Sequence, residues 1–405
     1  MSLLAPATPH TDSAATMVPD QSRAERTTSY AAADFPRPTG REEDWRFTPV
    51  DRIGDLFEIA PTDTDRLVVH VEAPGQVTVT KAQHVGGISP LGVGRPADRA
   101  AAVAWEAAGE VTTVTIPAET ELSAPVRVEI TAADLSRVNA HLAIDAGRFS
   151  KAVVLLSHKG SAHCGANVEI RAGDGADLTF ISLQEWDDDA IHLAQHDVLV
   201  GRDARVRHIA VTLGGKVVRI STNASYAGPG GSFEGLGVYF ADSGQHQEHR
   251  LFVDHGPAHC RSNVEYKGAL QGDSAHTVWV GDVLIRATAE GTDTYELNRN
   301  LVLTEGARAD SVPNLEIETG EIAGAGHASA TGRFDDEQLF YLQTRGIPTD
   351  TARRLVVRGF FAAIVSRIGI PEFIGHVMTA IDAELGYAAE VEHATDDSPD
   401  VAVSA

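Results

Sequence analysis

The sequence is short of lysine, cysteine and aromatic residues, and each shortage narrows what the chain can do. Only five lysines occur (Lys81, Lys151, Lys159, Lys216 and Lys267) in 405 residues carrying a formal net charge of −24. Neutralising phosphates takes clustered cationic side chains, so nucleic acid is not an expected partner. An acidic, lysine-poor surface argues equally against an anionic membrane. Two cysteines, Cys164 and Cys260, make no disulfide framework, and no Cys-x-x-Cys pair offers a zinc ribbon or a redox motif. The N-terminus lacks the charged and apolar stretches of a secretory signal, and no apolar run is long enough to span a bilayer. The chain reads as cytoplasmic, in a reducing compartment. Nothing fits a P-loop: Gly228-Pro229-Gly230-Gly231-Ser232 lacks the lysine that would reach phosphates. A Rossmann fingerprint and a Gly-x-Ser-x-Gly elbow are absent too. The expectation is a chain that is not itself an enzyme, with any ATP-driven step supplied by a partner.

What is plentiful is Val, Thr, Ala and 37 glycines, a mixture suited to many short strands and turns. Residues 1–28 carry no apolar period and read as a flexible tail. Residues 29–109 read as a small mixed helical region. It holds the charged turn Arg41-Glu42-Glu43-Asp44-Trp45-Arg46, two alternating pieces (Leu67–Val71 and Val77–Thr80) and a helix over Pro96–Ala108. Residues 110–330 succeed one another as β-type runs, from Val111–Ile116 through Val278–Ile285 to Leu301–Thr304, broken by Gly, Asp and Asn turns. Turn-like Gly147, Gly175, Gly201 and Gly230 recur 28, 26 and 29 residues apart. Such a quasi-period suits one coil of a β-solenoid per repeat; on pattern alone a β-sandwich fits as well.

Residues 331–388 are helical, and an acidic tail follows over 389–405. Asp335 with Gln338 resembles a capping box. Leu339, Phe340 and Leu342 give the first helix its apolar side, and Gly346 with Pro348 stops it. A second helix opens at Thr349 with Ala352, Leu355, Val356, Phe360, Ala363, Ile364 and Ile368 on one face, and a third opens at Pro371 with Phe373, Ile374, Val377, Met378, Ile381 and Leu385 inward. Between Phe340 and Ile370 stand five arginines (Arg345, Arg353, Arg354, Arg358, Arg367) and one acid, Asp350. A local charge of that sign in so acidic a chain suggests docking of an acidic partner.

Candidate chemistry is sparse. His246, His249, His255, His259 and Cys260 lie close in sequence, but a strand would scatter them over both faces. Hydrogen-bonded histidines are the ordinary reading, and soft-metal ligation at a position such as His255 the sharper one. His327 sits in Gly324-Ala325-Gly326-His327-Ala328-Ser329-Ala330, read as a loop between the last strand and the first C-terminal helix. Its small neighbours leave room for a ligand or a second chain, and neutral imidazole suits iron. Glu185-Trp186-Asp187-Asp188-Asp189 supports an alternative of a different class, a β-helix enzyme acting on polysaccharide with Asp187 to Asp189 as its carboxylates.

The stretch from Val253 to Ile370 resembles the SufB/SufD family of iron–sulfur cluster assembly proteins. Val253-Asp254-His255-Gly256-Pro257-Ala258-His259, then Ser262 and Tyr266-Lys267-Gly268, are similar to one family segment. Gly281, Thr292-Asp293-Thr294-Tyr295, Asn298 and Leu301 continue it, and Pro313-Asn314-Leu315-Glu316-Ile317 is similar to another. Leu339-Phe340-Tyr341-Leu342-Gln343-Thr344-Arg345-Gly346-Ile347 is the most specific match, and Arg41 to Arg46 resembles the opening motif.

The resemblance implies a mainly β fold, a right-handed parallel β-helix core flanked by small helical regions. It implies a scaffold in a complex with a SufB-like subunit and the SufC ATPase, with homodimerisation in isolation as a further expectation. No cofactor is expected to be held tightly; iron or an iron–sulfur cluster would be shared transiently with SufB, while flavin binding and stoichiometry stay open. Where SufB-type chains carry a cysteine, this one has Glu305-Gly306-Ala307-Arg308, and glutamate replaces neither a nucleophilic nor a soft-ligand thiolate. That places the chain on the SufD side of the family and leaves a SufB-like sulfur acceptor dependent on Cys164 or Cys260. His327 matches the family's cluster-site histidine, with Ala325 where a cysteine is usual. Leu339, Phe340, Tyr341, Arg345, Arg353, Arg354 and Phe360 fall on the helices that would receive SufC.

Overall fold

The computed structural model describes residues 22–60, 64–334 and 336–386. The core is a parallel β-solenoid of about eight turns. Its N-terminal strands are β1 (Leu67–Glu72), β2 (Thr78–Gln83), β3 (Glu110–Ile116), β4 (Val126–Ala146) and β5 (Lys151–Ala172), with helix α1 (Arg99–Ala107) between β2 and β3. Ten-residue strands then follow at regular spacing: β6 (Asp177–Trp186), β7 (Ile191–Val200), β8 (Arg205–Thr212, slightly shorter), β9 (Val217–Tyr226) and β10 (Ser232–Ala241). The series closes with β11 (His246–His255), β12 (Arg261–Leu270), β13 (His276–Ile285), β14 (Asp293–Val302), β15 (Arg308–Ile317) and β16 (Gly324–Arg333).

Even-numbered strands stack on even, odd on odd, all parallel, along the path β15-β13-β11-β9-β7-β5-β6-β8-β10-β12-β14-β16. β5 belongs to both stacks, since residues 151–160 pair with β6 and 163–172 with β7. Gly160 turns that corner with φ +85°, where a Cβ would collide with the Ala132 carbonyl oxygen.

The repeat seen in the glycines has a backbone cause. Glu119, Phe149, Gly175, Asp203, Gly230, His259 and Gly291 all hold φ between 53° and 77° in the same turn of successive coils. Each amide donates to a carbonyl of the next coil, from Glu119 to Arg148 through Gly291 to Glu321, at 2.6–3.3 Å. Of the four periodic glycines, Gly175 and Gly230 occupy this row. Gly147 and Gly201 stand two residues before it and donate back to Ile116 and Ala172 of the preceding coil.

Both outer faces are covered. The N-terminal segment lays Trp45, Ile53, Leu56 and Phe57 on Ile191, Leu193 and Val217 of the odd stack. Three helices, α2 (Asp336–Thr344), α3 (Thr349–Ser366) and α4 (Pro371–Glu384), close the chain. α3 and α4 lay Val357, Phe361, Ile364, Val365, Ile368, Phe373, Val377 and Ile381 on Ile181, Ile209, Val211, Leu236, Val238 and Phe240 of the even stack.

Several expectations need correction. Residues 22–28 are not a free tail: Arg23 reaches Asp44 at 2.9 Å and Asp282 at 3.3 Å, and the Arg26 guanidinium lies 4.1 Å above the Phe252 ring. The β1 and β2 pieces belong to the solenoid sheet, pairing antiparallel with β4 and β3. Strands β7, β15 and β16 were not anticipated as separate runs. The last predicted run ends at Val302, short of Thr304. The buried face of α3 is in part the expected one: Ala352, Ile364 and Ile368 are inside, but so are Val357, Phe361 and Val365, whereas Leu355 is 46% exposed. The capping position assigned to Asp335 lies outside the described residues.

Candidate functional site

The two ends of the solenoid differ. At the N-terminal end the outermost strands, β1 and β2, run antiparallel to β4 and β3. At the other, open end the outermost strands, β15 and β16, run parallel to the rest; among the described residues each pairs on one side, and neither holds a buried residue.

His327 is on the last coil. It is not in a loop, as its glycine-rich surroundings suggested, but in β16 and exposed. Its register partner is Glu296 of β14. In-register parallel strands point paired side chains to the same side. The column therefore runs inward from His327 through Glu296, Val264, Gly235, His208, Phe180, Val154 and Val126. Glu296 is 1% exposed, and burial, with the Asp282 carboxylate nearby, pushes its carboxyl up to about 8.

Around this column the last coils are polar inside. Tyr239 OH donates to Asn300 Oδ1 (2.6 Å), Asn298 Nδ2 donates to Tyr239 OH (2.8 Å), and Asn300 Nδ2 donates to Asn298 Oδ1 (2.8 Å). Ser311 of β15 donates to Asn298 Oδ1 at 2.5 Å, which ties the two stacks together at the open end. Sequence reading missed Glu296, Asn298 and Asn300 as a group. Alternation in β14 puts Tyr295 and Leu297 opposite them, and the apolar set is the natural one to place inside. Instead Tyr295 is 46% exposed and the polar set is buried.

The other candidates fall elsewhere. His255 is enclosed in β11, stacked on Tyr226 at 4.8 Å with its Nε2 at 2.9 Å from Ser262 Oγ, and burial pushes its imidazole down to about 4. Cys164 and Cys260 are free and buried; burial pushes the Cys164 thiol up to about 12 and the Cys260 thiol upward too. Neither provides a nucleophilic thiolate. Among the described residues no three His, Cys, Asp or Glu side chains converge to hold a metal ion. Asp187, Asp188 and Asp189 form an exposed turn, where Asp187 and Asp189 accept from Ser161 Oγ and Asp188 accepts from Gln245 Nε2.

On the C-terminal helices, Phe340 (67%), Tyr341 (55%) and Leu355 (46%) expose apolar surface, with the Arg345 guanidinium 4.7 Å above the Tyr341 ring and Leu339 half-buried. The basic run is largely used within the fold. Arg353 donates to the Leu303 carbonyl at 2.7 Å and covers Phe334, Arg358 pairs with Asp382, and Arg367 pairs with Glu234 and Glu265. Arg354 and Phe360 are half-buried, and Lys267 Nζ donates to the Phe360 carbonyl at 3.0 Å. The surface left is apolar with a basic edge, not the basic face expected.

The Arg41 to Arg46 turn is a clamp. Asp44 accepts from Arg250 (2.7 Å) and Arg23 (2.9 Å), and Trp45 lies under the Arg219 guanidinium at 3.9 Å. Beneath them Glu248, fully buried, takes Thr48 Oγ1 at 2.7 Å and Arg219 and Arg250 at 3.3 Å each. Burial opposes its ionisation, but Arg219, His246 and Arg250 overcome this and hold the carboxyl far below its usual range.

Residues 128–360 match the family model for the SUF system FeS cluster assembly SufBD core domain. An iron–sulfur cluster assembly SufBD family protein of Mycobacterium bovis is 50% identical over 375 residues, 91% of this chain and 94% of that protein. One from Mycobacterium leprae is 50% identical over 366 residues, 88% and 93% of the two chains. The iron–sulfur cluster assembly protein SufD of Escherichia coli is 28% identical over 204 residues, 50% of this chain and 48% of that one.

Proposed function

Because the chain belongs to the SufBD family of iron–sulfur cluster assembly proteins, we propose that it is the SufD-like scaffold of that machinery, not an enzyme in its own right. The open end of the solenoid joins a SufB-like subunit, and the C-terminal helices receive the SufC ATPase. Iron, or a nascent cluster, is the cargo and is shared with SufB across the joint.

The observation that carries this reading is the last coil of the solenoid. It presents the edges of β15 and β16 and an exposed imidazole among small residues. Unpaired edges are templates for another chain. An imidazole there is a suitable iron donor, and with both thiols buried the sulfur must come from the partner. For SufC, the support is the exposed Phe340, Tyr341 and Leu355 beside Arg345. A patch of large apolar groups rimmed by charge is the usual composition of an interface core.

Co-expression with SufB-like and SufC-like chains, followed by sizing and cluster reconstitution, tests the reading. His327→Ala should leave the complex assembled but impair cluster formation at least tenfold. Phe340→Ala should release SufC while SufB stays bound. Full complementation in cells by His327→Ala would remove the imidazole from the mechanism, and SufC retention by Phe340→Ala would move the docking surface elsewhere.

A further inference from the structure

Polar groups inside a solenoid are tolerated when they are satisfied, and all the inward polar side chains of β14 but one meet that condition. Thr294 Oγ1 shares a hydrogen bond of 2.5 Å with Ser262, and Asn298 and Asn300 are bound to each other and to Tyr239. Glu296, between Thr294 and Asn298, has no hydrogen-bond partner on either carboxyl oxygen. A fully buried carboxyl left this way is costly, and in a row otherwise satisfied it calls for an explanation.

Two features suggest what it awaits. Gly281, inward on the facing stack, leaves the carboxyl its space: a Cβ there would lie 2.8 Å from Glu296 Oε1 and collide with the Trp279 ring. The coil above Glu296 is the last one, and the residue stacked over it is His327. Adjacent strands lie about 4.8 Å apart, so a cation held by the imidazole from the open end is within reach of the carboxyl below. Earlier coils carry Val264, Gly235, His208, Phe180, Val154 and Val126 in this column; only its outermost two positions stack an imidazole on a carboxyl.

We propose that Glu296 is a second, inner ligand, which together with His327 forms a two-donor site for a divalent first-row cation such as Fe2+ at the open end of the solenoid. The inference rests on His327 being a ligand, and it accounts for the lack of a converging trio of donors among the described residues. Two come from this subunit, and the rest from the partner or from water. Carboxylate oxygen with imidazole nitrogen is a donor set suited to Fe2+, Mn2+ or Co2+.

The test is anaerobic titration of the full-length chain, alone and in the complex with SufB-like and SufC-like partners, with Co2+ as a coloured stand-in for Fe2+. Thermal unfolding of each variant is followed in parallel. Wild type should take up one ion per chain in the complex. Glu296→Gln, which keeps shape and removes the charge, should weaken binding at least tenfold and shift the visible spectrum of the ion that remains, with unfolding temperature unchanged or raised. His327→Ala should abolish the site. If His327→Ala abolishes uptake while Glu296→Gln matches wild type in affinity and spectrum, Glu296 is not a ligand and the imidazole alone stands. Wild-type uptake by both variants, or no uptake by the wild-type complex, would remove both residues from the site. A Glu296→Gln chain that fails to fold would make the carboxyl structural, which also overturns the proposal.

Discussion

One interior column runs the length of the solenoid, and its two ends differ in kind: Val126, Val154 and Phe180 fill the early coils, Glu296 and His327 the last two. The early coils are followed outward by β1 and β2, and Val126, Val154 and Phe180 pack there in the hydrophobic core, where burial stabilises the fold. At the open end the column finishes on the buried Glu296 and the exposed His327, beside the hydrogen-bonded Asn298 and Asn300. The same backbone repeat thus holds an apolar core at one end and a polar interior at the other. A single ladder of strands couples the two, each coil pairing with its neighbours along it.

The sharpest way to break the comparison is at its apolar end. Phe180 is fully buried between the stacks, and Phe180→Ala should cost about 3–5 kcal/mol in denaturant unfolding. An unmoved midpoint would mean that the early coils are not the stabilising core. The second effect concerns how the N-terminal cover is fastened. Glu248→Gln would leave Arg219 and Arg250 buried against a neutral group, at a cost of about 3 kcal/mol. The acid response follows from the same residue. Folding lowers the carboxyl's proton affinity, so the stability it contributes is complete above its ordinary value of 4.5 and is lost progressively as pH falls below it. Wild type should therefore show an acid-dependent loss of unfolding free energy that is shallower in Glu248→Gln; equal slopes would mean that other carboxylates set the acid limit.

How much of this was legible beforehand differs between the same two regions. The quasi-period of Gly147, Gly175, Gly201 and Gly230 was readable because one turn in each coil needs a left-handed residue, as at Gly175 and Gly230, or room for the neighbouring coil's backbone, as at Gly147 and Gly201. Phe149, Asp203 and His259 fill the same row without glycine, which is why the repeat was too degenerate to exclude a sandwich until family resemblance was added. The helix from Pro371 was legible because its apolar stripe is clean. The face of α3 was legible only in part, because apolar residues extend beyond the buried stripe, to the exposed Leu355 and the half-buried Val356 and Phe360. At the open end the pattern misleads for a physical reason. β14 alternates over Thr294–Asn298, but period two says only which residues share a face, not which face is inside. His327 was found from its small neighbours, yet those same residues concealed the strand that holds it, since Gly-Ala-Gly has little β propensity and β16 exists by pairing with β14.

The smallest expected effect on the isolated chain is also the one that separates the two ends most cleanly. Ser329 points the same way as His327, two residues along β16, and is exposed. Ser329→Lys should therefore change unfolding of the free chain by less than about 0.5 kcal/mol, as surface substitutions do. In the assembled complex the same ammonium would stand where the partner's coil must close over it. Burying an unpaired charge there costs several kcal/mol, so association with a SufB-like chain should weaken by at least a hundredfold in a sizing or calorimetric titration. A variant that lost stability alone would show that the last coil is packed as the early ones are. A variant that kept full affinity would show that the exposed edges of β15 and β16 are not where the partner binds.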